Sequence, residues 1–150
     1  MRFLKLTFVA AFAFLTLTGC EKAENNVKVS NNLVLNGDQE VPATQTTGSG
    51  VMDAWYDMKS KTLNYVIRWN GLTGPVTMAH IHGPAEKGVN AGILQTFFNF
   101  PAAASGVYSG SVVVDEVVIR EVDVLNSRLY VNIHTARFPG GEIRGQILMP

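Results

Sequence analysis

The chain has 150 residues, with 12 basic and 12 acidic side chains and a formal net charge of zero at neutral pH. It contains no run or stripe of Lys and Arg, which argues against a nucleic-acid-binding protein. Beyond the N-terminal segment, about 120 residues remain, which is enough to bury an apolar core. We therefore predict a single globular domain with no nucleic-acid partner.

The N-terminus has the pattern of a bacterial lipoprotein signal peptide. Met1–Lys5 is short and basic, Leu6–Leu17 is apolar, and Leu17-Thr18-Gly19-Cys20 matches a lipobox. A bilayer-spanning helix needs about 20 apolar residues, so this segment is too short to span. We predict a signal peptide at residues 1–19 and lipidation of Cys20. An ordinary signal peptide that happens to end in cysteine is the alternative.

Lipidation at Cys20 would anchor the protein to a membrane without spanning it. The expected location is the bacterial cell envelope, facing the periplasm or on the cell surface. Cys20 is the only cysteine, so a lipidated chain would have no free thiol and no disulfide. Residues 20–30 are polar and lack periodicity, which predicts a lipidated N-terminus followed by a tether.

The remainder, residues 31–150, reads as a series of β-strands. Residues 51–58 and 63–69 alternate with a period of two around the polar turn Asp57–Thr62, which predicts a hairpin. Six further strands are predicted at Asn32–Asn36, Thr77–His82, Gly92–Phe98, Tyr108–Val114, Leu129–Thr135 and Glu142–Met149. Eight short strands separated by Gly and Pro predict an all-β domain, and we expect an antiparallel Greek-key β-sandwich.

Four sequence blocks in this region have a characteristic order and spacing. They are Leu35–Ala43 (LNGDQEVPA), Gly71–Pro75 (GLTGP), Ala79–His82 (AHIH) and Tyr130–Gly145 (YVNIHTARFPGGEIRG). Together they resemble the CHRD domain, a module named after chordin and found in many exported microbial proteins. The resemblance covers Leu33 to Met149 and implies an exported all-β module, not an enzyme. It also implies a short helical turn at Arg120–Asn126.

All three histidines lie in these blocks, on two predicted strands. His80 and His82 share one strand face with Cα atoms about 6.5–7 Å apart, and His134 lies on the other strand. This spacing would let imidazoles converge on one ion at about 2.0–2.1 Å each. Neutral imidazoles suit Zn(II) or Cu(II), and the Met78 thioether would favour copper. Glu142 is a further candidate ligand, and Glu40 is the other available carboxylate.

The same histidines also have a structural interpretation. A strand histidine often donates to a backbone carbonyl, and the loops at Gly83-Pro84 and Pro139–Gly141 would offer such acceptors. The His-x-His pair is loosely similar to the copper-site strand of Cu/Zn superoxide dismutases, whose sandwich fold the domain would then resemble. Dismutase chemistry, however, uses more histidines than this chain has, together with a bridging ligand.

Two functions therefore stay open. The leading one is an exported, lipid-anchored, non-catalytic binding module whose partner is an envelope or extracellular macromolecule. The alternative is a copper- or zinc-binding envelope protein. We expect no catalytic residues. A third hypothesis, a metal-dependent redox enzyme, would need a solvent-open coordination position at the histidine cluster. The metal hypothesis requires the three imidazoles within about 4–5 Å of one another. The macromolecular hypothesis predicts an exposed apolar patch elsewhere.

Overall fold

A computed structural model describes residues 26–150, so the predicted signal peptide and the lipidation site Cys20 lie outside the described residues. In chain order the elements are β1 (Val27–Asn36), a 3-10 turn (Gly37–Gln39), β2 (Ser49–Asp57), β3 (Thr62–Asn70), β4 (Val76–His82), β5 (Ile93–Thr96), β6 (Gly106–Val113), α1 (Glu121–Leu125), β7 (Leu129–Thr135) and β8 (Ile143–Ile147). The prediction of an all-β domain with eight strands is confirmed, as is the short helical turn before β7. Within residues 26–150, no helix is both long and apolar enough to cross a bilayer.

The eight strands form one continuous sheet in the order β5-β4-β7-β8-β1-β2-β3-β6, with every neighbouring pair antiparallel. The predicted sandwich and Greek-key arrangement is not confirmed, because the strands do not divide into two hydrogen-bonded sheets. β1 includes Val27–Ser30, which lie in the segment predicted as a tether. In the structure these residues pair with β2 through backbone hydrogen bonds, so they belong to the sheet and not to a tether.

The sheet curls so that its two edge strands approach each other around an aromatic cluster. Phe97, just after β5, packs on Tyr65 of β3 with ring centroids 5.0 Å apart and on Tyr108 of β6 at 5.3 Å. The Phe97 N–H also donates to the Ala79 carbonyl of β4. This cluster closes the apolar core between strands that share no ladder hydrogen bonds.

The strands β7 and β8, and β4 from Ala79 to His82, are buried on both faces. Their inward face is apolar and carries Ala79, Ile81, Val131, Ile133, Ile143 and Ile147. Their outward face is polar, yet it is also buried: it carries His80, His82, Asn132, His134, Arg144 and Gln146, here called the polar layer. The loop at residues 83–92 covers this layer, since its backbone carbonyls at Ala85, Val89 and Ala91 accept hydrogen bonds from it.

Candidate metal centre

The three histidines meet across two neighbouring strands of the polar layer. His80 and His82 lie on β4, and His134 lies on β7 two residues beyond Asn132, which pairs with His80. Because alternate residues of a strand share a face, all three rings point outward from the core. One ring nitrogen from each lies within 4.8 Å of the others, and all three side chains are buried. They form a group that could hold a metal ion.

Backbone carbonyls fix the outer nitrogen of two of these rings. Nδ1 of His82 lies 3.0 Å from the Ala91 carbonyl oxygen, and Nδ1 of His134 lies 2.9 Å from that of Pro139. A carbonyl oxygen only accepts, so each Nδ1 must carry the proton and donate it. In the neutral imidazole, Nε2 then presents a lone pair. The predicted bond from His134 to the Pro139–Gly141 loop is present, whereas the second acceptor is Ala91 and not the Gly83-Pro84 turn. Both bonds use Nδ1, which leaves Nε2 available.

The inward nitrogens converge on one place beside Asn132. Its Oδ1 lies 3.0 Å from Nε2 of His82 and 3.0 Å from Nε2 of His134. Nδ1 of His80 lies 3.0 Å from Nε2 of His134. With both Nδ1 atoms protonated, three lone-pair atoms face one another across this space. A cation would satisfy them. Without one, a protonated Nδ1 of His80 can donate to Nε2 of His134, and the Asn132 amide can turn its NH₂ group toward the rings.

Burial keeps the His80 and His134 rings in the form that binds metal. Burial, with the neighbouring His134 and His82 rings acting in the same direction, lowers the pKa of His80 to about 4. Burial also lowers the pKa of His134, although its bond to the Pro139 carbonyl works in the opposite direction. Both imidazoles are therefore neutral at pH 7, and a neutral imidazole is what coordinates a metal.

A family model for the CHRD domain matches residues 32–147. The chain belongs to the CHRD domain family. Searches of curated proteins and of solved structures gave no match. Membership in this family supports a non-catalytic module, and the matched range contains every residue of the histidine cluster.

An aromatic ring and a buried guanidinium complete one side of the cluster in this CHRD domain. His82 stacks on Tyr130 with centroids 4.8 Å apart and planes 4° from parallel. The Arg144 guanidinium lies 3.4 Å above the same ring and donates to the Asn90 side chain and the Val89 carbonyl. Tyr130 thus separates the Arg144 charge from the imidazoles and fixes the plane of His82.

A buried carboxyl lies at the opposite side of Asn132. Glu40 is 7% exposed, and within residues 26–150 its Oε1 has no hydrogen-bond partner. Burial raises the pKa of Glu40 to about 7, although the Arg144 charge and bonds from Val41 and Asn132 work to lower it. Glu40 packs against Gly141, whose φ of +126° and lack of a side chain leave room for the carboxyl.

Of the two remaining candidate ligands of the CHRD domain, Glu142 lies apart from the histidines and Met78 is a cross-strand neighbour of His134. Glu142 accepts four hydrogen bonds from the threonines at positions 46, 73 and 135, and it is not part of the three-histidine group. Burial works to raise the pKa of Glu142, but these bonds outweigh it and lower the pKa. Met78 lies opposite His134 in the strand register and is 48% exposed.

Sequence reasoning missed Asn132 as a member of the cluster. The available signal was strand parity: Asn132 stands two residues before His134, so the two side chains share a face. Asparagine in a strand is ordinarily read as a surface residue, because only tertiary contacts show that this outward face is buried. Its place between two Nε2 atoms depends on the β4–β7 register.

Proposed function

We propose that this CHRD domain is a lipid-anchored, non-catalytic binding module of the bacterial cell envelope whose ligand is a divalent transition-metal ion, Zn(II) or Cu(II). One observation carries the metal part. The ring nitrogens of His80, His82 and His134 converge, and backbone carbonyls hold two of the rings with Nε2 as a lone-pair donor.

Coordination would resolve an otherwise unfavourable arrangement. Buried polar atoms without partners are costly, and with Nδ1 of His82 protonated its Nε2 faces Asn132 Oδ1 at 3.0 Å with no proton between the two acceptors. Ligands at about 2.0–2.1 Å in a tetrahedral zinc site lie about 3.3 Å from one another. The two 3.0 Å separations that involve Nε2 of His134 are close to that spacing, and the three-histidine group, whose ligand atoms lie within 4.8 Å of one another, would have to contract around the ion.

In metal sites, a ligating histidine usually donates its other ring N–H to a hydrogen-bond acceptor, and the Ala91 and Pro139 carbonyls are acceptors of this kind. Such partners select the histidine tautomer and orient the ring before the ion arrives. Asn132 Oδ1 would be a fourth ligand from the protein itself. Four protein ligands leave no coordination position for a substrate, which favours metal binding over metal catalysis.

The envelope part of the proposal rests on the N-terminal sequence. The basic start, the short apolar segment and the Leu17-Thr18-Gly19-Cys20 lipobox support export and lipidation at Cys20. A bound ion would link β4 and β7 to the loops that follow His82 and His134. We propose that the resulting rigid surface is the one that meets an envelope or extracellular macromolecule, and that nucleic acid is not a partner.

Metal titration of the full mature chain tests the proposal. The protein would be purified in detergent, stripped with a chelator and titrated calorimetrically with Zn(II) and with Cu(II). We expect one ion per chain for the wild type and loss of that uptake in His80→Ala/His82→Ala. Thr77→Ala, an exposed change on the same strand, is the matched control and should keep the uptake. Equal behaviour of wild type and double variant would refute the metal site.

Two further measurements test the histidine tautomers and the lipid anchor separately. Long-range ¹⁵N–¹H NMR of the imidazoles should show Nδ1–H tautomers for His82 and His134, with metal-induced shifts at Nε2. Mass spectrometry of the N-terminus from bacterial membranes should show acyl chains on Cys20, and Cys20→Ser should release the protein. A chain that binds metal but carries no lipid would refute only the anchor.

A further inference from the structure

An exposed apolar patch lies between β6 and the end of α1. It consists of Val117, Val118, Val122 and Leu125, and Val117 is 85% exposed. Val122 and Leu125 stand three residues apart on α1 and so share one side of the helix. Most exposed hydrophobic residues of a soluble domain are scattered singly, whereas these four are close together in the sequence. Such a patch needs a partner.

The patch is held in place by a polar turn. Asp115 Oδ1 accepts the backbone N–H groups of Val117, Val118 and Ile119. These bonds lower the pKa of Asp115, so the carboxylate remains charged and the turn remains formed at neutral pH. Ile119 and Val124 are buried in the core beneath the patch. The two exposed valines are therefore presented on a fixed support.

The patch lies at the end of the domain where the described chain begins. The segment that carries it contacts the turn between β2 and β3, because Glu121 accepts hydrogen bonds from Tyr56 and Lys61. The same turn donates from the Met58 N–H to the Asn26 carbonyl. Asn26 and the patch thus flank one short turn.

The distance from Asn26 to the predicted lipid is short. Six residue steps separate Cys20 from Asn26, and an extended chain spans at most about 3.3–3.6 Å per residue, or about 20 Å in total. We infer that the patch docks onto the lipid bilayer that holds the acyl chains of Cys20. This inference rests on the anchoring part of the proposed function and is independent of the metal site.

The lipid tether explains why four apolar side chains would be enough to hold the domain against the bilayer. A lipid anchor converts docking into an intramolecular step, so a weak second contact adds to the first through its effective concentration. Asp115 and Glu116 stand next to the apolar residues in the sequence, whereas Glu121 is paired with Lys61 and Arg120 with Asp123. The charge of this segment is therefore negative and would oppose contact with anionic lipid, so the expected surface is a zwitterionic one.

A site-specific fluorescent label tests the docking. With Cys20 acylated, Val117→Cys supplies the only free thiol for an environment-sensitive fluorophore. Val107→Cys is the matched control, because Val107 is also an exposed valine (58%) but pairs with Arg68 near the far end of β3. Each lipidated protein would be reconstituted into vesicles of phosphatidylcholine and phosphatidylethanolamine that contain a nitroxide-labelled lipid.

The proposal expects a blue-shifted emission at position 117 and several-fold stronger quenching by nitroxide lipid than at position 107. Equal, weak quenching at both positions in a lipidated protein would overturn the docking and leave the anchor intact. An unlipidated Cys20 would overturn the anchor and the docking together. A blue shift that needs no vesicles and grows with protein concentration would identify a second copy as the occupant and overturn the lipid assignment.

Discussion

Both faces of β7 and of the second half of β4 are buried, but different interactions stabilise the two faces. On β7, Ile133 points into the apolar core, whereas the adjacent Asn132 points into the polar layer. The inner face is stabilised by the apolar area that it removes from water, and many combinations of apolar side chains could fill this core. Burial of the outer face is favourable only when each polar group has a hydrogen-bond partner. A buried polar layer is therefore stable only where its side chains pair closely with one another and with the loops that cover them.

The two buried glutamates differ in how completely their carboxyl oxygens are hydrogen-bonded. Glu142 has four hydrogen-bond donors around it, and its pKa is lowered. Glu40 has an oxygen without a partner within residues 26–150, and its pKa is raised. The satisfied carboxylate ties loops to the sheet as a structural element. The unsatisfied one lies beside Asn132 and the candidate metal centre, where a ligand would be expected.

Truncation in the apolar face should have the largest effect on stability. Ile133→Ala should lower the free energy of unfolding by about 2–5 kcal/mol, because it removes buried methyl groups and leaves a cavity. Denaturant unfolding of chelator-treated protein measures this, and the exposed Val113→Ala should stay within about 0.5 kcal/mol of wild type. Equal losses in the two variants would contradict the assigned core. Ile133→Ala should still take up one metal ion.

Removing the charge of Glu142 should give a smaller loss of stability than Ile133→Ala, and this loss should depend on pH. Glu142→Gln should cost about 1.5–3 kcal/mol at pH 7, the usual contribution of hydrogen bonds to a charged group. Since the hydrogen bonds hold the pKa of folded Glu142 below its ordinary value of 4.5, the stabilisation is full above pH 4.5. It is lost as the pH falls through the folded pKa. The difference from wild type should therefore shrink in acid.

Unfolding measured at pH 7 and at pH 3 would show this trend. Glu86→Gln is the control, because the Glu86 carboxylate is 76% exposed. A Glu142→Gln deficit that is the same at both pH values would show that lost packing, and not the charged hydrogen-bond network, is responsible.

A methyl group at Gly141 should disturb the polar layer more than the core. In Gly141→Ala the new Cβ would overlap Glu40 Oε1 and lie 2.9 Å from Asn132 Nδ2, at a φ of +126°. We expect a loss of about 1–3 kcal/mol in stability from the strained backbone. We expect metal affinity to fall by about tenfold or more as Asn132 shifts.

Gly140→Ala is the matched control, since nothing lies within 4 Å of its added Cβ. Thermal unfolding and calorimetric titration would be compared for the two variants. If Gly141→Ala loses stability but binds metal like wild type, Asn132 is not part of the metal centre.

The smallest effect is expected where the outward face of the sheet is open to solvent. Arg68 of β3 donates to Asp53 of β2, and its side chain is 48% exposed. Arg68→Ala should cost about 0.2–1 kcal/mol, and less in high salt, because exposed ion pairs contribute little. Unfolding at low and high salt measures this. A loss as large as that of Glu142→Gln would mean that the two outward faces do not differ as described.

Strand parity accounts for most of what was predictable about the site. His80 and His82 were expected on one face because they are two residues apart, and the structure places His134 beside them. Parity does not reveal which strands are neighbours, so it could not place Asn132 between the rings. Nor could it show that Glu40, more than ninety residues away along the chain, lies near Asn132.

The sequence by itself determined the all-β class, the strand positions and the CHRD membership, because alternation, turn residues and motif order are local or linear properties. The tertiary structure decided that the strands make one continuous sheet and that Val27–Ser30 belong to it. It also decided that the outward face of β4 and β7 is buried beneath loops. Burial depends on what packs over a residue, and no local pattern in this chain encodes that.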